Sequence, residues 1–464
     1  MKSCKHSGRR RWRWSGLWLV LSVLWLGPGT PARGAANTNR HVILITIDGL
    51  AASYLSDPHA PLPTLRQLAA TGAVAEAMHV SSPAVTWPNH TTLVTGVSPR
   101  QHAVLFNGKL TRGGPGDAVT LRGNYDKREL VAVPTVYDLL HGLGLRTAGV
   151  NWPCTRNSGA LDDDFPDVPG AVDFTTPKLR EELIQAGLLT GPDNEAFRAH
   201  GIAVMDEIWT GAAVHLWRTR PPNFLLFHLL TTDSVQHQYG PQSTAAYAAL
   251  GLADARVAEL LRAVDAAGLR AQTTVFVTSD HGFVRPTKRL RPNVLFRKAG
   301  LFEAPPRRRA QSVAEGGTAF VYLTHPETRA EDRARVLDLL RGQEGIAAIL
   351  TPERFAGLGL PDPAQNPQMG DLLLAAEDGY AFINDATAND WLVELKNPVG
   401  THGYLASEPK MDGVFIAAGA GIRPGVKLQR VGNVDVAPTI AALFGQTMSG
   451  VEGRVLQQIL TGSK

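Results

Sequence analysis

Short, uninterrupted apolar runs alternate along this chain with stretches in which apolar residues recur every three or four positions. Val42–Ile47 is the first such run and ends at Asp48-Gly49. Asn223–Leu229 and Thr273–Thr278 share its character, stopping near Thr231-Thr232-Asp233 and at Ser279-Asp280-His281-Gly282. Arg146–Val150 leads into Asn151-Trp152-Pro153, and Val414–Ala418 adds a run near the C-terminus. A strand that is apolar at nearly every position is covered on both faces, as in a parallel sheet between helices. Helical spacing covers Thr64–Ala70 before Gly72, Val133–Leu143 before Gly144, Ala245–Ala266 before Gly268 and Val434–Phe444 before Gly445. The alternation predicts an α/β fold, doubly wound, with a mostly parallel central sheet between helices. From about 284 to 400 the texture changes: the stretch is rich in Arg and Pro, including Pro305-Pro306-Arg307-Arg308-Arg309, with a helix expected around Arg329–Leu340. It is expected to form an insertion or cap on the main domain.

Residues 1–35 read as a targeting segment rather than as part of the fold. Lys2 to Arg13 is basic, Leu17 to Leu26 is apolar, and Gly27-Pro28-Gly29 followed by small residues suits cleavage near Ala32 or Ala35–Ala36. A ten-residue apolar run is short for a bilayer span, so cleavage is expected over anchoring. Arg9-Arg10-Arg11 leaves twin-arginine and general export both open. Removing seven basic and no acidic residues turns the formal charge from +4 to −3, so the basic balance belongs to the signal and implies no nucleic-acid partner. Of two cysteines, Cys4 lies in the signal, which leaves Cys154 no internal disulfide partner. A bacterial periplasm fits these features, with secretion as the alternative. A chain of 464 residues is long enough for one large α/β domain with insertions or for two ordinary domains, and residues 36–464 are expected to form one such domain with its insertion.

Ligand sites of open α/β sheets lie beyond the carboxyl ends of the strands. Three apolar runs end on or just before an acid: Asp48, Asp233 and Asp280. Histidines accompany two of them, in Asp233-x-x-x-His237 and Asp280-His281, and His402 follows on the glycine-flanked loop Gly400-Thr401-His402-Gly403. Alone, Asp-Gly is a turn and a loop histidine is a solvated side chain. Together, three carboxylates and three imidazoles make a hard-oxygen and nitrogen ligand set suited to zinc, ahead of manganese or iron. Pro88 suits the first turn of a helix running through Leu93, with Thr86 just before its N-terminus, where backbone N–H groups and the helix dipole favour a phosphate. Without metal ligands nearby, Thr86 would read as an N-cap.

The series Ile47-Asp48-Gly49, Thr86-Trp87-Pro88-Asn89-His90, Leu93-Val94-Thr95-Gly96, Asp233-Ser234-Val235-Gln236-His237, Ser279-Asp280-His281-Gly282 and Gly400-Thr401-His402-Gly403-Tyr404 resembles the nucleotide pyrophosphatase/phosphodiesterase branch of the alkaline phosphatase superfamily. The resemblance runs in family order from about 41 to 445. It implies an alkaline-phosphatase-like fold and two divalent metal ions, expected to be zinc. One would be held by Asp233, His237 and His402, the other by Asp48, Asp280 and His281 with the Thr86 oxygen. Thr86 would be the nucleophile of an in-line displacement through a phosphothreonine, with Asn107 binding a phosphoryl oxygen and Trp87 stacking on a base. The implied substrate is a small phosphate ester or nucleotide, and the oligomeric state stays open.

Two positions depart from that pattern. Many relatives carry a tyrosine five residues before the first metal Asp, where this chain has His228, and often a glycine where it has Cys154. Three readings therefore stand side by side. A phosphodiesterase or nucleotide pyrophosphatase rests on Trp87. A phosphomonoesterase or phosphonate (C–P bond) hydrolase requires a cation such as Arg156 or Lys109 at the phosphate. A non-catalytic metal-binding protein of the cell envelope requires a damaged ligand position.

Overall fold

The computed structural model describes residues 38–167 and 169–462; the expected export signal lies outside them. Eight strands form the central sheet: β1 His41–Ile47, β2 Ala73–His79, β3 Thr147–Pro153, β4 Asp163–Asp167, β5 Phe224–Leu229, β6 Thr273–Thr278, β7 Gly413–Gly419 and β8 Val426–Gly432. Their order is β8-β2-β7-β6-β1-β5-β3-β4, and only β7 runs against the rest. The strands read as continuous apolar runs are the interior ones: every residue of β1, β5 and β6 is buried. Strand β8, at an edge, alternates instead, because one of its faces meets solvent.

Pleating sends alternate residues of β1 to opposite layers. Ile43, Ile45 and Ile47 pack with Leu65 and Leu68 of α1 (Pro63–Thr71), Trp209 and Leu216 of α4 (Ile202–Thr219) and Val257 and Leu260 of α6 (Thr244–Ala266). Val42 and Leu44 pack on the other side with Leu93 of α2 (Thr86–Thr95), Tyr137 of α3 (Val136–His141) and Ile440 of α7 (Val436–Leu443). Helix α5 (Thr231–Tyr239) follows β5 directly. Burying both faces of the sheet is the main source of stability, at roughly 25 cal/mol per Å² of apolar surface.

Some boundaries differ from the sequence expectation for local reasons. Helix α3 starts three residues later than Val133 because Thr135 caps it: the Asp138 N–H donates to Thr135 Oγ1 (3.2 Å) and the Thr135 N–H donates back to Asp138 Oδ2 (2.8 Å). Strand β3 continues through Asn151-Trp152-Pro153, with a register shift between Val150 and Pro153 and Asn151 at φ +56°. Helix α2 begins on Thr86 itself, with Val85 as N-cap.

Between β6 and β7, a four-stranded antiparallel sheet is built from Ala310–Ala314, Thr318–Leu323, Leu372–Ala376 and Ile346–Leu350. One of its faces packs on the helices Pro292–Lys298 and Arg329–Leu340 through Phe296, Val336 and Leu340. The other meets Leu105, Phe106 and Leu110, with Phe106 edge-on to Phe320 at 5.5 Å. The segment carrying Asn107 is thereby held against this region.

Candidate active site

Sheet order brings the acids together. Strands β6, β1 and β5 are parallel neighbours, with Thr46 opposite Thr278 and Ile47 opposite Leu229. Adjacent strands lie about 4.8 Å apart, so Asp48, Asp280 and the start of α5 emerge side by side. On α5, Asp233 and His237 are one turn apart and face the same way. Gly49 makes the turn after Asp48 at φ +69°, and a Cβ there would stand 2.4 Å from the Phe283 ring. His402 arrives on a loop tied down by hydrogen bonds from Gly400 N–H to Gln236 O (3.0 Å) and Gly403 N–H to Ala84 O (2.9 Å). Gly403 has φ +80°, and a Cβ would lie 1.7 Å from the Glu315 carbonyl oxygen.

Two groups of potential ligands result, Asp233 with His237 and His402, and Asp48 with Asp233 and His281; within each, one ligand atom per residue lies within 4.8 Å of the others. Asp280 borders the second group, its Oδ2 3.3 Å from His281 Nε2. Asp233 thus joins both groups rather than one. Thr86 Oγ1 is 3.5 Å from His281 Nε2, which brings the expected nucleophile to the same spot. The rings of His281 and His402 stack at 3.7 Å.

Hydrogen bonds fix the tautomers. The Nδ1 atoms of His237, His281 and His402 each meet a backbone carbonyl, of Gly400 (3.2 Å), Gly282 (3.2 Å) and Ala84 (2.9 Å). A carbonyl only accepts, so each Nδ1 carries the proton and each Nε2 presents a lone pair. Those Nε2 atoms stand 3.3 to 3.7 Å from carboxylate oxygens, acceptor facing acceptor. Asp48 Oδ1, Asp233 Oδ1 and Asp280 Oδ2 are buried without a hydrogen-bond partner. Buried acceptors left unpaired in such a cluster are costly unless a cation joins them. The donor set therefore fits divalent metal.

Burial, then repulsion from Asp280 and Asp233, drives the Asp48 carboxyl well above the usual range, and burial with Asp280 does the same to Asp233. Burial lowers His237, and it pushes His281 down to about 3. Burial together with the neighbouring His281 and His237 lowers His402 as well. The imidazoles are thus neutral, as ligands must be. The cluster opens outward at His237, whose side chain is 41% exposed, while Asp48 and His281 are fully buried.

Asn107 Oδ1 accepts from the Trp87 backbone N–H at 2.8 Å, which turns the amide's NH2 away as a free donor. Trp87 is 6% exposed and packs with Val104, Leu130 and Cys154. Most of the ring expected to stack on a base is already covered by protein. Arg156 Nε pairs with Asp126 at 2.8 Å and Lys109 Nζ donates to the Glu129 carbonyl at 2.9 Å. Cys154 is buried and its thiol is pushed up to about 12, a packing residue rather than a nucleophile.

Sequence reasoning missed four supporting residues. His228 Nε2 lies 3.1 Å from Asp48 Oδ2. His90 donates from Nδ1 to Thr86 O (2.9 Å) and accepts from Thr46 Oγ1 (2.8 Å). Gln236 Nε2 donates to Gly49 O (2.9 Å) and its Oε1 accepts from Tyr54. Asp206 receives the N–H groups that open α5. The signals were the placement of His90 and Gln236 inside the quoted motifs and the departure from the family pattern at His228.

A mostly parallel α/β sheet with acids and histidines gathered at its carboxyl edge, beside a threonine at a helix start, is the architecture of metal-site hydrolases related to alkaline phosphatase. The chain belongs to the type I phosphodiesterase/nucleotide pyrophosphatase family, whose model matches residues 42–405. It is 23% identical to the rat ectonucleotide pyrophosphatase/phosphodiesterase family member 3 over 416 residues, 85% of this chain but 41% of that protein. It is also 23% identical to a bis(5'-adenosyl)-triphosphatase of Xenopus laevis, over 88% of this chain and 78% of the relative. The fold matches an inactive variant of murine ectonucleotide pyrophosphatase/phosphodiesterase 5 solved in complex with AMP, with TM-score 0.68, 17% identity, and coverage of 91% of this chain and 100% of that one.

Proposed function

We propose that this protein is an exported, zinc-dependent hydrolase that cleaves phosphodiester and nucleotide pyrophosphate bonds through a phosphothreonine at Thr86. The observation that carries the reading is the convergence of three unpaired carboxylate oxygens and three Nε2 lone pairs beside Thr86 Oγ1. Asp233, His237 and His402 would hold one metal ion, and Asp48, Asp280 and His281 a second that shares Thr86. When bound, the ions supply the positive charge that favours the Thr86 alkoxide and offsets the charge of the phosphoryl group.

The chain's own groups do the rest. Thr86 opens α2, so unpaired N–H groups of its first turn and the helix dipole favour an anionic phosphoryl group. The Asn107 NH2 donates to a phosphoryl oxygen. Attack by Thr86 Oγ1 on phosphorus forms the Thr86–phosphate bond as the bond to the leaving oxygen breaks, and water then cleaves that ester, releasing phosphate product and the hydroxyl. Because Arg156 and Lys109 are engaged elsewhere, a diester with one fewer charge suits the site better than a monoester. The relatives' names support a nucleotide or dinucleotide-like small molecule as substrate. Residues 1–35 would direct the protein to the periplasm.

Metal-loaded protein assayed on bis-p-nitrophenyl phosphate, p-nitrophenyl phosphate, nucleoside triphosphates and phosphonoacetate tests this. We expect the diester to be the better p-nitrophenyl substrate and Thr86→Ala to lose about 10³-fold or more in kcat. A large monoester preference would sink the diesterase assignment, and full activity in Thr86→Ala would remove the nucleophile.

A further inference from the structure

We propose that His228 and Asn151 form a positioning pair that sets the Asp48 carboxylate for metal binding from outside the ligand set; this rests on the metal-site reading above. His228 lies on β5 beside Thr46 of β1 and is fully buried. Its Nδ1 donates to the Asn151 carbonyl at 2.9 Å, while Asn151 Nδ2 donates to the His228 carbonyl at 3.1 Å. The two residues therefore grip each other across neighbouring strands. Asn151 does so in the left-handed region, φ +56°, a conformation that Asn tolerates better than most residues. This grip leaves the imidazole one orientation, with Nε2 facing Asp48 Oδ2 at 3.1 Å.

The consequence falls on the ligand. Asp48 Oδ2 is engaged by His228, and Oδ1 is the oxygen left without a partner, 3.4 Å from His281 Nε2. A carboxylate free to rotate would offer either oxygen; this one offers a single atom, in a fixed direction. The contact at 3.1 Å is of hydrogen-bond length, shorter than the 3.3 to 3.7 Å spacings inside the ligand cluster. His90 flanks the pair, its ring 4.4 Å from that of His228, and ties the Thr86 carbonyl to Thr46. Partners that orient a ligand commonly change metal affinity by about 10–100-fold when removed.

The test measures zinc affinity by competition with a chromophoric chelator, using full-length apo protein, alongside the thermal melt of each apo form. His228→Ala should bind zinc at least about tenfold more weakly than wild type. His228→Gln, whose amide retains a donor for Asp48, should recover most of that loss. A merely structural histidine would lower the apo melt of both variants without ordering their affinities this way. Zinc affinity of folded His228→Ala within twofold of wild type, or of folded His228→Gln no better than that of His228→Ala, would overturn the proposal. If His228→Ala does not fold, His228→Gln decides alone: affinity within about threefold of wild type supports the pair, and a greater loss overturns it. Wild type that binds no zinc would instead remove the underlying metal-site reading.

Discussion

At the scale of single residues, burial sets charge states that a sequence does not display. Asp164 of β4 is 4% exposed and accepts from Thr155 Oγ1 at 3.0 Å. Burial raises its carboxyl to about 8, with the threonine bond partly opposing. The folded protein thus keeps a proton that the unfolded chain releases near pH 4. A raised folded pKa contributes stability that is full below the unfolded value and is lost as pH climbs through about 8. Asp164→Asn carries no such proton. It should melt above wild type at about pH 8, by an amount on the order of 1–3 kcal/mol, with the gap closing near pH 4. Scanning calorimetry across that range checks the sign, and a gap that widened toward acid would contradict it.

Elements locate the candidate ligands by where they begin. Helix α5 carries Asp233 and His237, and its start is set by Asp206 of α4, whose Oδ1 and Oδ2 accept the Leu230 and Thr231 N–H groups, both at 2.9 Å. Asp206 is itself buried. Asp206→Ala leaves the buried Thr231 N–H unpaired, at about 1–3 kcal/mol, along with the part-buried Leu230 N–H, and should lower the urea midpoint accordingly. It should also weaken zinc binding in the protein that remains folded, because α5 loses the contact that fixes its phase. Asp206→Asn keeps one carbonyl acceptor and should cost less. Equal urea midpoints for wild type and Asp206→Ala would show that α5 needs no such anchor.

The whole molecule meets at one point. Asp48 from β1, Asp280 and His281 after β6, Asp233 and His237 from α5, and His402 from a loop beyond the four-stranded region all converge there. A cation that binds only the folded chain stabilises it by RT ln(1 + [L]/Kd), about 4 kcal/mol at a thousandfold excess over Kd. Chelator-treated protein should therefore melt several degrees below zinc-replete protein and lose the hydrolytic activity proposed for it, with zinc restoring both. Differential scanning fluorimetry reads the shift; a melt unmoved by either treatment would argue against a metal site. Among the described residues no helix is long and apolar enough to cross a membrane.

Most interior strands, the fold class and the candidate ligand residues were legible in the sequence because each rests on local pattern. Apolar runs name buried parallel strands, and acids just past them fall at the carboxyl edge whatever the strand order. Helix α4 was legible too, with Ile208, Trp209, Ala212 and Leu216 on one buried face, but it was not singled out. Strands β2 and β8 were harder to see, because their alternation is weak over seven residues. What only the tertiary structure decided is pairing at a distance. His228 meets Asp48 across 180 residues, and Gln236 meets Gly49 across 187. Asp233 serves both ligand groups because β1 lies between β5 and β6. Trp87 turned inward because Val104, Leu130 and Cys154 gather around it. The sequence thus determined which side chains are the candidate metal ligands; strand order and packing decided which of their oxygens face one another and what holds them there.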